Sequence, residues 1–165
     1  MALATYDPSA VMIYLAGVAV EDVMDGTFVR IAKDSQVFTS VTSTDGQVYR
    51  KRSSSTSYTL SITLSSSSKT NKVLQYFLIA DQLTSLGKFP LMIKDGSGSS
   101  LFFATTFWIE QQPDMVFSED VRAMPWTIRC TGSTISFGDN YDPSSLTDDA
   151  LNVVVGSIPS LAGLL

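Results

Sequence analysis

Residues 58–65, YTLSITLS, alternate apolar and hydroxyl side chains without a break. Successive strand side chains point to opposite faces, so Tyr58, Leu60, Ile62 and Leu64 share one face, and Thr59, Ser61, Thr63 and Ser65 the other. The first face belongs against a core. The second is polar yet uncharged, whereas a solvated strand usually carries Lys or Glu there. Such a face suits a surface that stays wet without gripping what passes over it.

The remaining pattern is mostly β with one helix. Residues 11–20 are apolar almost throughout, as in a strand covered on both faces or lying at a subunit contact. A second strand, 27–33, follows the Asp25-Gly26 turn. Strands at 36–43 and 47–52 flank Asp45-Gly46, a strong hairpin signal because both residues tolerate positive φ. After a polar loop, Thr70 or Asn71 is positioned to cap a helix that runs to about Leu83. Val73, Tyr76, Phe77, Ala80 and Leu83 recur at three- and four-residue spacing and predict its buried stripe, with Lys72, Gln75, Asp81 and Gln82 opposite. Gly87 stops it.

Strands at 89–94 and 100–110 then flank the flexible Asp95-Gly96-Ser97-Gly98 turn. Strict alternation in the second places Leu101, Phe103, Phe107 and Ile109 on one face and Phe102, Ala104 and Trp108 on the other. Such a strand must be covered on both sides. Strands at 123–131 and 134–137 close the domain. Residues 138–150 are an Asp-, Ser- and Pro-bearing acidic linker. Residues 151–165 are uncharged and apolar, and Pro159 and two glycines argue against a continuous helix there. The expected division is a β domain at 1–137 and a C-terminal extension at 138–165. In that extension Val153, Val154, Val155, Ile158 and Leu161 are expected to dock, on their own domain or on a neighbouring subunit.

Composition sharpens this picture. Only 16% of the 165 residues are charged, against about 25% in typical soluble domains. Ser and Thr, about a quarter of the chain, take the place of the missing charge. Interface centres are depleted in Lys, Glu and Asp, so much of this surface is expected to be covered by other subunits. Residues 1–129 hold 12 acidic and 11 basic side chains, while everything after Arg129 is without a cation. Tight nucleic-acid binding needs clustered cations, and Arg50, Lys51 and Arg52 form the one short cluster. Sequence-specific DNA recognition is not expected.

Candidate chemistry is sparse. With no histidine, the commonest general base and metal ligand is missing. Cys130 is alone and falls in the Trp126, Ile128, Cys130 alternation, which predicts a small core residue. The chain has no phosphate-binding loop of P-loop type. The carboxylate pairs Glu21-Asp22, Glu119-Asp120 and Asp148-Asp149 lie near element ends or in the linker. No catalytic, cofactor-binding or metal-binding residue is assigned, and a non-enzymatic protein is expected. The N-terminus has no signal-peptide pattern and no segment reaches the ~20 apolar residues of a membrane helix, so folding in a cytoplasm and no membrane insertion are expected.

The ordered segments YDPSAVMIYLAGVAVEDVMDGTFVRIAKDSQVF, TDGQVYRKRSSS, LSITLSSSSKTNKVL and PLMIKDGSG resemble the tail tube proteins of contractile-tailed bacteriophages. So does the closing W-I-E-x-x-P-D…W-T-I-R-C pattern. The resemblance spans roughly residues 6–137, and its distinctive parts are the Asp25-Gly26 turn, the Lys94-Asp95 hairpin and Pro113-Asp114. It implies a mainly β, two-sheet sandwich or barrel domain with one flanking helix. Six copies would form a ring whose inner sheets join into one β-barrel, and rings would stack into a tube. The implied partners are a homo-hexamer, a sheath protein, a tape measure protein and baseplate or terminator proteins, with double-stranded DNA passing without tight binding. The implied location is the virion tail, with assembly in the host cytoplasm. On this footing Thr44, Asp45, Gly46 and Gln47 are the expected ring-to-ring contact, and Thr59, Ser61 and Thr63 the expected lumen-facing strand. Two other readings stand beside it. One is a tube protein of a phage-like secretion or bacteriocin injection device; the other is a monomeric β-sandwich ligand-binding module.

Overall fold

The computed structural model describes residues 3–140. Seven strands form one antiparallel sheet in the order β2-β1-β7-β8-β9-β6-β3, and β4 and β5 form a separate two-stranded sheet. The strands are β1 (Val11–Leu15), β2 (Val18–Ala19), β3 (Val29–Lys33), β4 (Phe38–Thr42), β5 (Val48–Arg52), β6 (Tyr58–Ser65), β7 (Phe89–Asp95), β8 (Leu101–Gln111) and β9 (Ala123–Ser136). One helix, α1 (Thr70–Thr84), follows β6. The mainly β class with a single flanking helix is as the sequence predicts.

The large sheet curls over its own inner face. Val11 and Ile93 from one side and Ile31 from the far edge line the same apolar pocket of about 270 Å³, together with Phe102 and Ile135. The Tyr58 and Phe102 rings meet edge to face at 5.4 Å. Both sides of the sandwich therefore come from one continuous sheet, and the second sheet is a separate projection. Among the described residues the chain closes no barrel of its own: β2 and β3 remain as edges.

Strand β6 carries the centre of the core. Leu60, Ile62 and Leu64 have no exposed surface, and the burial pattern alternates along the whole strand. Its neighbour β9 contributes Trp126, Ile128 and Cys130 from the same face, in register with Ile62, Leu60 and Tyr58. Burial, with Asp34 adding to it, pushes the Cys130 thiol up to about 12, so the side chain is an inert core filler.

Several elements depart from the predicted pattern. The 11–20 segment is a tight hairpin, with Ala16 (φ 53°) and Gly17 (φ 82°) turning the chain between β1 and β2. The expected strands 123–131 and 134–137 are one 14-residue strand. It does not break at Gly132, whose φ of 61° instead shifts the phase of its side chains. A Cβ at Gly132 would run into Thr105 Oγ1 on β8, and β8 shifts phase at the same level. The buried set in β8 is thus Phe102, Ala104, Phe107 and Ile109, while Leu101 and Phe103 turn outward. β7 records the extra residue, with Phe89 opposite Phe107 but Leu91 opposite Ala104. A one-residue insertion flips every later side chain to the other face.

The helix is where expected but rotated. Leu74 is fully buried, and Phe77 packs on Phe89 (4.9 Å between ring centroids) and Phe107 (6.3 Å). Of the predicted stripe only Val73 and Phe77 are partly covered; Tyr76, Ala80 and Leu83 are exposed. Neither Thr70 nor Asn71 caps it. The Ser68 hydroxyl accepts from the Thr70 amide instead. Thr70 Oγ1 accepts from the Glu21 amide, and Asn71 Oδ1 accepts from the Trp126 indole at 2.9 Å. Those side chains tie α1 to the sheet rather than to its own first turn.

Candidate assembly surfaces

The β4–β5 hairpin is an arm. Every one of its ten strand residues is exposed, and among the described residues the two strands pair only with each other. An isolated two-stranded ribbon is marginal in water. Its tip is built as the sequence predicts: Ser43 and Gln47 close the turn and Gly46 takes φ 83°. The hydroxyls of Ser43 (2.7 Å) and Thr44 (3.2 Å) donate to the Asp45 carboxylate and hold its pKa below the usual range, Ser43 contributing most. Thr44, Asp45, Gly46 and Gln47 are brought together and exposed at this tip.

Apolar side chains sit on both faces of the arm. Val41 and Tyr49 lie opposite each other on one face, at 62% and 58% exposure. The other face carries Phe38, Val48, Arg50 and Arg52, with the Arg50 guanidinium 4.3 Å over the Phe38 ring. The arm is rooted beside the start of β6, where the Ser53 amide bonds the Val37 carbonyl and Lys33 Nζ reaches the Ser55 carbonyl.

The outer face of the large sheet divides into two sectors. Over β6 and β9 it presents Thr59, Ser61 and Thr63 beside Arg129, Thr127 and Pro125. Arg129 lies between two carboxylates, Asp34 at 3.0 Å and Glu110 at 3.1 Å. Burial works against the Asp34 charge, but hydrogen bonds from the Ser57 and Thr59 hydroxyls, helped by Arg129 and Lys33, hold its pKa below the ordinary value. The one cation inside this sector is thereby neutralised, leaving Arg30, opposite Ser61 on the edge strand β3, with no ion pair among the described residues. Over β1, β7 and the first half of β8 the same outer face is mainly apolar, with Lys94 at its end. Tyr14, Met92 and Phe103 line a shallow groove of about 300 Å³. Sequence reasoning missed this sector because it read β8 without the phase shift.

Two further apolar surfaces lie elsewhere. Tyr76, Ile79 and Leu83 form an outward stripe on α1. The 112–122 connection between β8 and β9 exposes Met115 (80%) and Phe117 (89%), and its residues line a pocket of about 550 Å³. Only Pro113-Asp114 and the Glu119-Asp120 carboxylate pair marked that connection beforehand, since an aperiodic M-V-F run carries no strand or helix signal. Val153, Val154, Val155, Ile158 and Leu161 lie outside the described residues.

A curled β-sandwich with a paired but uncovered arm, open sheet edges and large apolar surfaces is the architecture of a subunit made to be joined to others. The family described as "Bacteriophage PhiTE tail tube protein" matches residues 13–138, and the chain belongs to that family. Its role is structural, as a tail tube protein. It is also similar to "Structural protein ORF10" of Pseudomonas phage KPP10, at 27% identity over 158 residues covering 91% of each chain.

Among solved structures it resembles a chain of an extracellular contractile injection system, the PVC sheath-tube complex in the extended state. That match has TM-score 0.58 and 10% identity, over 80% of this chain and 91% of the other. The PVC sheath/tube terminator in the extended state matches with TM-score 0.57 and 10% identity, over 81% and 97%. The cap of the anti-feeding prophage, a tube-terminating cap, matches with TM-score 0.55 and 12% identity, over 81% and 92%. At these identities the structural matches speak for the fold alone.

Proposed function

We propose that six copies of this protein form a ring, and that rings stack into the hollow tube of a contractile phage tail, inside a sheath and ended by a terminator. The observation that carries this reading is the arm: ten strand residues, four of them large and apolar, with no cover from the described residues 3–140. A tail tube subunit needs such a reach, and a monomeric ligand-binding module has no use for it. The open edges β2 and β3 support ring closure, because pairing them with edges of identical copies would satisfy backbone groups that otherwise template aggregation. Thr44 to Gln47 make the ring-to-ring contact.

The hydroxyl sector lines the bore. Each phosphate–cation contact would retard a moving duplex, and Thr59, Ser61 and Thr63 offer hydration without positive charge. Arg129, locked between Asp34 and Glu110, supports that assignment. The genome passes through this conduit on ejection, a tape measure protein occupies it before then, and the tail forms in the host cytoplasm. The apolar segment around Val153 and Ile158 laps onto an adjacent subunit or the sheath. No step of this function calls for a catalytic group or a cofactor.

Concentrated purified protein and purified virions, imaged by negative-stain electron microscopy, test the reading. Six-fold rings and tubes of phage-tail bore are expected. Replacing residues 44–47 with a Gly-Ser linker should shorten or abolish tubes while near-ultraviolet circular dichroism stays native. A chain that remains monomeric at every concentration and is missing from the virion tube overturns the reading.

A further inference from the structure

We infer that the pocket under the 112–122 connection of one copy receives the β4–β5 arm of the next copy along the tube. This rests on the tube reading above and names the receptor that reading left open.

The two surfaces match in chemistry. The basic face of the arm combines Phe38 and Val48 with Arg50 and Arg52. The pocket combines Met115, Val116 and Phe117 with the carboxylates of Asp114 and Asp120. Glu119 adds a third carboxylate to the same connection, against the single guanidinium of Arg122, which is occupied with the Ser118 hydroxyl at 2.7 Å. None of Arg50, Arg52, Asp114 and Asp120 has an ion pair among the described residues. Apolar groups ringed by opposite charge on two separate surfaces are complementary in both terms, which steers encounter and sets register.

Their placement is as informative as their chemistry. The arm is rooted at the Tyr58 end of β6, beside Lys33. The 112–122 connection enters β9 at Ala123, which pairs with Ser65 at the other end of β6. Eight residues of strand separate the two ends by roughly 24 Å. A patch that fits a different patch on the opposite end of its own molecule can make a head-to-tail contact, and such contacts close into a ring or propagate as an open stack. A stack of copies along an axis uses them at every step, each arm meeting the pocket of the copy beyond it.

Charge reversal and cross-linking test the pairing. Arg50→Glu with Arg52→Glu, or Asp114→Arg with Asp120→Arg, is expected to lower sedimentable polymer at least ten-fold while tryptophan fluorescence stays native. Combining all four substitutions in one chain should restore tubes. In a separate arm, tubes of Val48→Cys, Met115→Cys protein treated with a mild oxidant should yield a ladder of cross-linked chains, since the native Cys130 is buried and silent. Tubes that form but give no ladder, or four-fold variants that stay unassembled, overturn the pairing and leave the tube reading standing. Wild-type protein that forms no tube and is missing from the virion tube defeats the tube reading itself.

Discussion

β8–β9 and β4–β5 are both antiparallel strand pairs of one chain, yet they solve the same problem in opposite ways. β8 and β9 bury Phe102, Phe107, Ile128 and Cys130 against the folded-over sheet and the helix, and every inward side chain finds its cover within the chain. β4 and β5 have no residue buried by the described part of the chain, although Phe38, Val41, Val48 and Tyr49 are as apolar as many core residues. Both pairs carry large apolar side chains, although β5 adds the cations Arg50, Lys51 and Arg52. What separates them most is where the cover comes from: among the described residues the arm has none, and an exposed apolar surface of this kind marks an interaction site. The body is a folding unit, while the arm is an assembly unit attached to it.

That contrast breaks most visibly if core substitutions fail to unfold the body. Phe107 has no exposed surface and lies within ring contact of Phe77 and Phe89 (6.3 and 6.2 Å between centroids). Phe107→Ala should cost about 3–5 kcal/mol through lost transfer energy and an uncollapsed cavity. A shift of the urea midpoint of the monomer reads this loss. A midpoint within error of wild type would mean that the aromatic cluster between α1 and β8 is not what holds the body together.

A smaller effect is expected where the body changes its side-chain phase. Gly132 sits at φ 61°, and a side chain there meets Thr105 Oγ1 across the ladder. Gly132→Val combines left-handed strain with that collision and should destabilise the monomer by on the order of 2 kcal/mol. The same urea titration measures it. A neutral result would show that β8 and β9 can lose their shared kink, and with it the outward turn of Phe103.

The kink also marks the limit of what the sequence disclosed. Tyr58–Ser65, the Asp45-Gly46 turn and the Cys130 position were legible because each rests on local alternation or on turn chemistry. The outward placement of Leu101 and Phe103 was not legible. Strict alternation through Thr105 and Thr106 predicts the wrong face, and Gly132, the residue that permits the shift, lies on a different strand. Ala16-Gly17 was hidden for a related reason, since an apolar run gives no turn signal until Ala16 is seen at φ 53°. In α1 both sides carry three- and four-residue apolar spacing: Leu74, Phe77 and Leu78 on one, Tyr76, Ile79 and Leu83 on the other. Periodicity finds two stripes but cannot say which one the chain itself covers. The arm tip was readable from two residues. The apolar 112–122 connection offered no periodic signal at all.

The finest test of the body–arm distinction uses two aspartates whose carboxyls are both held below their ordinary pKa. Asp34 sits between Ser57, Thr59 and Arg129 in the body, and its side chain is 20% exposed; Asp45 sits among hydroxyls at the arm tip. A carboxyl whose folded pKa lies below the unfolded value near ~3.9 adds stability that is present above that value. The stability is lost as pH falls through the folded pKa, because the unfolded chain takes up the proton first. Linkage of this kind appears only if the partners of the group separate in the transition being watched. Trp108 and Trp126 both lie in body strands, so their fluorescence reports unfolding of the body. Wild-type stability should therefore decline between about pH 5 and about pH 3, and Asp34→Asn should flatten part of that decline, an effect kept modest by its partial exposure. Asp45→Asn should leave the decline unchanged, because the arm can open without the body. Equal flattening by both substitutions would show that arm and body melt together, and that the arm has more hold on its own chain than its exposure indicates.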